Sequence, residues 1–436
     1  MRLLNASTYE FHVVLGPRKP KYAILSHTWE NDEVLYEDMR DTPKSDWSAK
    51  KGYFKIKKAC AQALQDGCDF VWIDTCNINK DSSAELSEAI NSMFRWYRDA
   101  TICYAYISDS VTGDDESFSQ CRWLTRGWTL QEMIAPDRVH FYDMNWGFLG
   151  SRISLATHLL SPATGIHTAV LLRRHRPRIP QLHPPSDLMP SGLLVVKKTA
   201  KEDEIPLFRT TEYDCQCCPS NGEADVESML EKFSVAQKMK WASKRTTTRE
   251  EDIAYCLMGL FDVNMPLLYG EGSKAFYRLQ QAILAISSDQ SILAFRSNLE
   301  SSVFLGDSPL LAPNPRSFLD EVHNMHMPAR GTHAILTGTT LSIEMLISPV
   351  QGVEKRRDKY LGILDCSLDG DPSMRPAILL SPVHEGKLIF RRSPGDVKLF
   401  RLRPSHPGEA VPMEARTLEP EPRTLDLSDK TLQLVD

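Results

Sequence analysis

Phe70-Val-Trp-Ile-Asp-Thr-Cys76 sets how the first third of the chain is read. A short apolar run that ends in Asp74 fits a buried strand. Upstream, Ile56, Ala59, Cys60, Ala63 and Leu64 recur at helical spacing and stop at Gly67, and before them Tyr22 to Ser26 is another short apolar run. Downstream, Leu86, Ile90, Met93, Phe94 and Tyr97 share one helix face and lead into the strand-like Ile102-Cys-Tyr-Ala-Tyr-Ile107. Arg138-Val-His-Phe-Tyr142 reads as a fourth strand. Strands that are apolar almost throughout, alternating with helices, predict an α/β unit: a parallel sheet covered on both faces, with its functional edge at the strands' carboxyl ends. Asp74, Asp109 and Asp143 all fall just after such strands.

A chain of 436 residues with 42% hydrophobic and 25% charged residues has the means to bury a sizeable core, and its length suggests two or three domains. A net charge of −6 argues against a protein that coats nucleic acid or an anionic membrane. The N-terminus lacks the apolar core of a signal peptide, and no apolar run approaches the ~20 residues of a spanning helix. The expected location is therefore cytoplasmic, with no membrane association. The 10 cysteines are scattered, mostly in apolar periodic segments, which suits reduced core thiols. Only Cys215, Cys217 and Cys218 cluster, and they lack a second ligand pair at zinc-site spacing.

The expected organisation is an α/β domain over 1–165, a Pro-rich, basic and disordered insertion over 166–226, a helical region over 227–298, a β-rich domain over 299–405 and a loose tail over 406–436. In the helical region Thr247-Thr-Arg-Glu250 offers a capping box ahead of Ile253 to Met258, and Gly270-Glu-Gly-Ser-Lys274 reads as a helix start rather than a phosphate loop.

Four blocks carry a family resemblance: Leu25-Ser-His-Thr-Trp29, Trp72-Ile-Asp-Thr-Cys76, Ser83-Ala-Glu-Leu-Ser-Glu-Ala-Ile-Asn-Ser-Met93 and Arg126-Gly-Trp-Thr-Leu-Gln-Glu132. In this order they resemble the fungal heterokaryon incompatibility (HET) domain. Blocks at Ser243 to Thr248, Asp252 to Val263 and Met265 to Gly272 resemble the region that commonly follows it. Two positions depart from the pattern, with Glu30 in place of a usual glycine and Asn77 in place of a frequent second cysteine.

The resemblance implies nonself recognition and regulated cell death, and a fold similar to Toll/interleukin-1 receptor (TIR) domains, with a flavodoxin-like parallel sheet and flanking helices. Several TIR domains cleave NAD with a glutamate on a helix beside the sheet, so the resemblance also implies NAD as a substrate with no further cofactor and no metal. A second implication, of another class, is a non-catalytic module that assembles with itself or with a receptor-type partner.

Glu85 stands where the TIR-like glutamate belongs, with Glu88 as the alternative one turn on. Ser82-Ser-Ala-Glu85 is equally a capping box in which Glu85 closes the helix. Ser26, His27 and Trp29 follow the first strand and are candidates for the wall of a binding cleft. Asp74 suits a ribose hydroxyl, or caps the next element. Arg122 suits phosphate, whereas Arg126 is expected to pair with Asp109 and Glu132 around Trp123 and Trp128. Glu132, three residues after Thr129, also fits a capping box.

Overall fold

The computed structural model describes residues 1–16, 18–173, 225–296 and 309–318, and beyond these the segments 325–326, 334–337, 340–349, 359–368, 374–383, 389–393, 398–402, 410–412 and 428–435. The N-terminal sheet contains β1 Arg2–Asn5, β2 Phe11–Val13, β3 Tyr22–His27, β4 Phe70–Ile73, β5 Ile102–Tyr106, β6 Val139–Tyr142 and β7 Phe148–Ser151 in the order β2-β1-β4-β3-β5-β6-β7. Strands β4, β3, β5 and β6 run parallel. From β3 the chain steps out to β4 and then returns across β3 to β5, so the direction of winding reverses between β3 and β5. In such sheets the crevice at the strands' carboxyl ends beside that reversal is the natural place for a ligand.

All residues of β3 and β5 are buried, as their apolar sequences require of strands covered on both faces. One face receives the helix Tyr53–Gln65, whose Ile56, Ala59, Cys60 and Ala63 pack with Ala23, Leu25, Val71 and Ile73. That helix stops before Gly67, whose φ of +75° is left-handed and suits glycine. The other face receives the helix Ser83–Arg98, whose Ile90, Met93, Phe94 and Tyr97 pack with Ile24, Trp72, Cys103 and Ala105.

The predicted parallel strands are present, but the sheet is mixed at its margins: β1 runs antiparallel to β4 and β2, and β7 antiparallel to β6. These three strands are three or four residues long, too short for a period-2 pattern to stand out.

The packed region runs past 165. Ile166, Val170 and Leu171 are buried, and the enclosed Arg152 guanidinium donates to the carbonyls of Met133 (2.8 Å), Pro136 (2.6 Å), Asp137 (2.8 Å) and Leu171 (2.9 Å). Arg173, read as part of a basic loop, donates to the carbonyls of Ala135 and Pro136, each at 2.6 Å. The rest of the expected insertion from 174 to 224, including the cysteine triplet, lies outside the described residues.

Helices Val226–Leu230, Val235–Ala242, Asp252–Tyr255 and Lys274–Ile286 form the helical region. Its expected capping box is not made: Thr247 Oγ1 donates to the Arg249 carbonyl at 2.6 Å, and the helix begins only at Asp252. The glycine segment does lead into a helix, with the Gly270 and Gly272 amides held by Glu251 Oε1 at 2.7 and 3.1 Å. A second, eight-stranded sheet follows, in which Thr340–Pro349 is paired with Tyr360–Ile363 and with Ser428–Val435. Residues 428–435, assigned to a loose tail on composition, are therefore a strand in which Leu432 and Leu434 are the backbone partners of Ile343 and Leu341. Among the described residues no helix is long and apolar enough to cross a membrane.

The helical region and the sheet domain meet at Gly259, where an added Cβ would lie 2.2 Å from Phe94 Cβ. Gly259→Ala must push the turn off the helix Ser83–Arg98 and is expected to cost about 1–3 kcal/mol or more in urea unfolding. An unchanged midpoint would contradict this close packing.

Candidate functional site

Along β3 successive side chains alternate between faces, so Ser26 and His27 point to opposite sides of the sheet. They form two separate constellations at the same edge.

The first is buried. Ser26 Oγ accepts from Trp123 Nε1 at 2.7 Å and donates to Glu132 Oε2. Tyr97, whose hydroxyl donates to the Leu25 carbonyl at 3.3 Å, also hydrogen-bonds Glu132. Burial pushes the Glu132 carboxyl up to about 8, with the nearby Asp74 charge adding to the rise and the Ser26 and Tyr97 hydrogen bonds opposing it. At neutral pH the group is therefore mostly the neutral acid. Behind it, the Thr129 hydroxyl is shared between the carbonyls of Trp123 and Arg126 (3.0 Å to the latter) and accepts from the buried Arg245 at 2.9 Å. Arg245 also donates to the Arg126 carbonyl at 2.8 Å. A short bridge completes the junction: Gly127 N donates to the Thr246 carbonyl (2.9 Å) and Thr246 N to the Thr125 carbonyl (2.8 Å). Gly127 permits this approach, because a Cβ there would lie 2.5 Å from Thr247 Cγ2. The fourth sequence motif is thus clamped by the downstream block Ser243 to Thr248.

Three expectations change here. Arg126 reaches Thr248 Oγ1 at 2.9 Å and hydrogen-bonds neither Asp109 nor Glu132. It is Arg122 that engages Asp109, through its backbone amide at 2.9 Å and its guanidinium at 3.6 Å, and it pairs with Glu30 at 3.0 Å. Glu132 is no cap, because its carboxyl lies beneath the sheet edge on Ser26.

The second constellation reaches the surface. His27 Nε2 lies 3.0 Å from Asp74 Oδ1, and Trp29 Nε1 donates to Asp74 Oδ2 at 2.7 Å. Burial by itself would raise the Asp74 carboxyl, but the His27 contact, the Lys80 charge and the Trp29 N–H outweigh it and hold Asp74 at about 2. Ionised Asp74 can only accept, so the His27 ring donates to it from Nε2–H, and its other nitrogen is Nδ1. Nothing among the described residues hydrogen-bonds that Nδ1, nor the buried Thr75 Oγ1 or Lys80 Nζ. The Lys80 ammonium lies 3.2 Å from the centroid of the Trp29 ring, and Trp29 is 42% exposed.

Glu85 lies beside this cluster and is already engaged. Ser82 Oγ accepts from the Glu85 amide at 3.3 Å, as the capping reading expects, but the Glu85 carboxylate turns to Arg2 (2.6 and 3.2 Å) and to the Asn79 amide (2.9 Å). Burial favours its neutral form, yet the Arg2 and Asn79 hydrogen bonds prevail and lower it below the usual carboxylate value. Asn77, in place of the family's frequent cysteine, accepts from the Ile73 amide (2.9 Å) and donates to the Arg2 carbonyl (3.1 Å). Glu88 is largely exposed, 3.8 Å from the terminal ammonium.

The structure brings His27, Trp29 and Asp74 together, sets Ser26 on the opposite face, and ties Arg122 to Glu30 at the same carboxyl edge. Ser26 is wholly buried, which leaves it no role as a nucleophile. Sequence reading missed Lys80 and Arg2 and misplaced Glu132. No group of three or more potential metal ligands occurs among the described residues.

Residues 22–119 match the family model described as Heterokaryon incompatibility protein (HET), which bears out the resemblance at the level of the family. The first three sequence motifs lie in or largely within that stretch, and Arg126 to Glu132 follows it. A curated relative, the Vegetative incompatibility protein HET-E-1 of Podospora anserina, is 41% identical over 276 residues. The match covers 61% of this chain but 16% of that relative. It is longer than the α/β domain, so similarity extends beyond the sheet. No solved structure matches the chain.

The raised Glu132 group makes stability depend on pH with a definite sign. Between the ordinary value of 4.5 and about 8 the folded chain holds a proton that the unfolded chain has lost. Its contribution is complete below 4.5 and is lost as the pH rises through about 8. Glu132→Gln mimics the neutral acid, so thermal unfolding of this variant should lose that part of the decline between pH 5 and pH 8. An unaltered pH profile would show that Glu132 is ionised in the folded protein.

Proposed function

We propose that the chain is an effector of heterokaryon incompatibility that triggers regulated cell death, and that its TIR-like sheet domain binds and cleaves NAD at the edge formed by β3 and β4. The observation that carries this reading is the convergence of an exposed tryptophan, an ionised carboxylate, a histidine and a lysine at the carboxyl edge of the parallel strands. Glycosidic cleavage of NAD needs an aromatic wall for a base and a carboxylate to hold ribose hydroxyls and face developing positive charge. Trp29 and Asp74 supply these. Asp74 has accepted two hydrogen bonds and retains lone pairs for a ribose. Glu85, the carboxylate expected from the TIR resemblance, is spent on Arg2 and Asn79 and acts in this reading as a positioning residue for the loop that carries Lys80.

A second reading has a specific observation behind it. Because the Glu85 carboxylate is already engaged by a bidentate arginine and a backbone amide, the domain also suits a non-catalytic module that kills by assembling with copies of itself or with a receptor-type partner.

Purified full-length chain incubated with NAD, over a range of protein concentrations, should release nicotinamide detectable by chromatography. Asp74→Asn should lower that release by about 100-fold or more per folded molecule, with the folded fraction read from its own unfolding curve, since the charge facing the developing cation is gone. Glu85→Gln should retain most of the turnover and lose about 1 kcal/mol of stability with its ion pair. A dead Glu85→Gln beside an active Asp74→Asn would return the chemistry to Glu85. Killing in fungal cells with no nicotinamide release at any concentration would establish the assembling module instead.

A further inference from the structure

Lys80 is held in an unusual way. Its ammonium is buried and makes no hydrogen bond among the described residues, although each of its three N–H groups would find an acceptor in water. Its close neighbours are the Trp29 face at 3.2 Å and, through space, the charges of Asp74, Glu37 and Glu33. Asp74 does not compensate by hydrogen bonding: its donors among the described residues are His27 and Trp29, and the Lys80 ammonium is not one of them. Desolvation accordingly lowers the Lys80 group below its ordinary value. The loop bearing it is anchored on either side of Lys80, by Glu85 at the Asn79 amide and by Asn79 Oδ1 at the Asp81 amide (3.2 Å), so the backbone is held while no hydrogen bond among the described residues ties down the ammonium.

An aromatic face beside a permanent negative charge is a receptor for an organic cation. We propose that the Trp29 face and Asp74 form a site for a planar pyridinium cation, that the Lys80 ammonium is its built-in occupant, and that the positively charged nicotinamide ring of NAD takes its place. The identity of the natural ligand rests on the function proposed above; the site itself does not. Exchange conserves charge beside Asp74. The ammonium regains its hydration when it leaves, whereas a pyridinium, with charge spread over a ring, has little hydration to lose and stacks on the indole. The reduced, uncharged dihydronicotinamide ring gains nothing from Asp74, so the site distinguishes oxidised from reduced ligand. The opposite assignment, Lys80 as a contact for ligand phosphate, would need an anion close to Asp74, Glu33 and Glu37.

The two assignments predict opposite signs for one substitution. Binding of 1-methylnicotinamide, the pyridinium without ribose or phosphate, is measured calorimetrically on the full chain, with neutral nicotinamide as the control. Lys80→Met, which keeps the stem and removes the internal competitor, should tighten 1-methylnicotinamide binding by about fivefold or more and leave nicotinamide unaffected. Trp29→Leu should abolish the binding, and Lys80→Gln provides a second plug-free form should the methionine variant fold poorly. Weaker or unchanged binding in the lysine variants, or none in any form, overturns the proposal. NAD that binds while 1-methylnicotinamide does not would sink this site but leave the proposed function standing. Tighter 1-methylnicotinamide binding without NAD cleavage would establish the site and refute the enzymatic reading.

Discussion

The Ser26 hydroxyl is the junction on which the rest of the domain depends. It sits at the carboxyl end of the first parallel strand, accepts from Trp123 and donates to Glu132, and is wholly enclosed. Three segments meet in this one group: β3, and, far along the chain from it, the short helix Arg122–Thr125 carrying Trp123 and the helix Thr129–Ile134 that follows. A buried hydroxyl left without either partner costs about 1–3 kcal/mol, so the three segments are constrained together. Keeping Glu132 neutral is what makes the arrangement tolerable, because an isolated buried carboxylate would cost far more. Arg245 and Thr129 extend the same constraint into the helical region, which is therefore tied to the sheet edge.

From that junction the opposite face of the sheet gains its exposed constellation. Fixing β3 fixes His27, fixing β4 fixes Asp74 directly after it, and the Trp29 N–H ties the aromatic wall to that carboxylate. Arg2 does the same for the loop between residues 78 and 82, joined by Asn77 on one side and Glu85 on the other. Side chains held at rigid strand ends beside a buried lysine ammonium are a suitable basis for the selective binding proposed above.

Much of this was legible in the sequence because buried parallel strands are written as uninterrupted apolar runs. Tyr22 to Ser26, Phe70 to Ile73 and Ile102 to Ile107 all meet that description, and the candidates His27, Trp29 and Asp74 follow from standing at the ends of those runs. What escaped notice depended on contacts remote in sequence. Glu132 stands three residues after Thr129, the same offset as a capping box, and only the packing of its helix under β3 turns it inward. Lys80 lies within Asn77-Ile-Asn-Lys-Asp-Ser-Ser83, where no periodicity separates it from a solvated turn residue. Arg2 belongs to a strand of four residues, and Arg126 and Arg122 carry identical local signals until the partners Thr248 and Glu30 come within reach.

The central claim is that the carboxyl edge of β3 and β4 is the working surface of the domain. Backbone hydrogen exchange of the full chain, followed with and without saturating NAD, tests it most directly. Binding at this edge predicts slowed exchange at residues 27–30 and 79–82, with β2 and the strands of the second sheet unchanged. Protection confined elsewhere, for example to the groove of about 360 Å³ lined by His167, Phe233 and Trp241, with residues 27–30 and 79–82 unaffected, would contradict it.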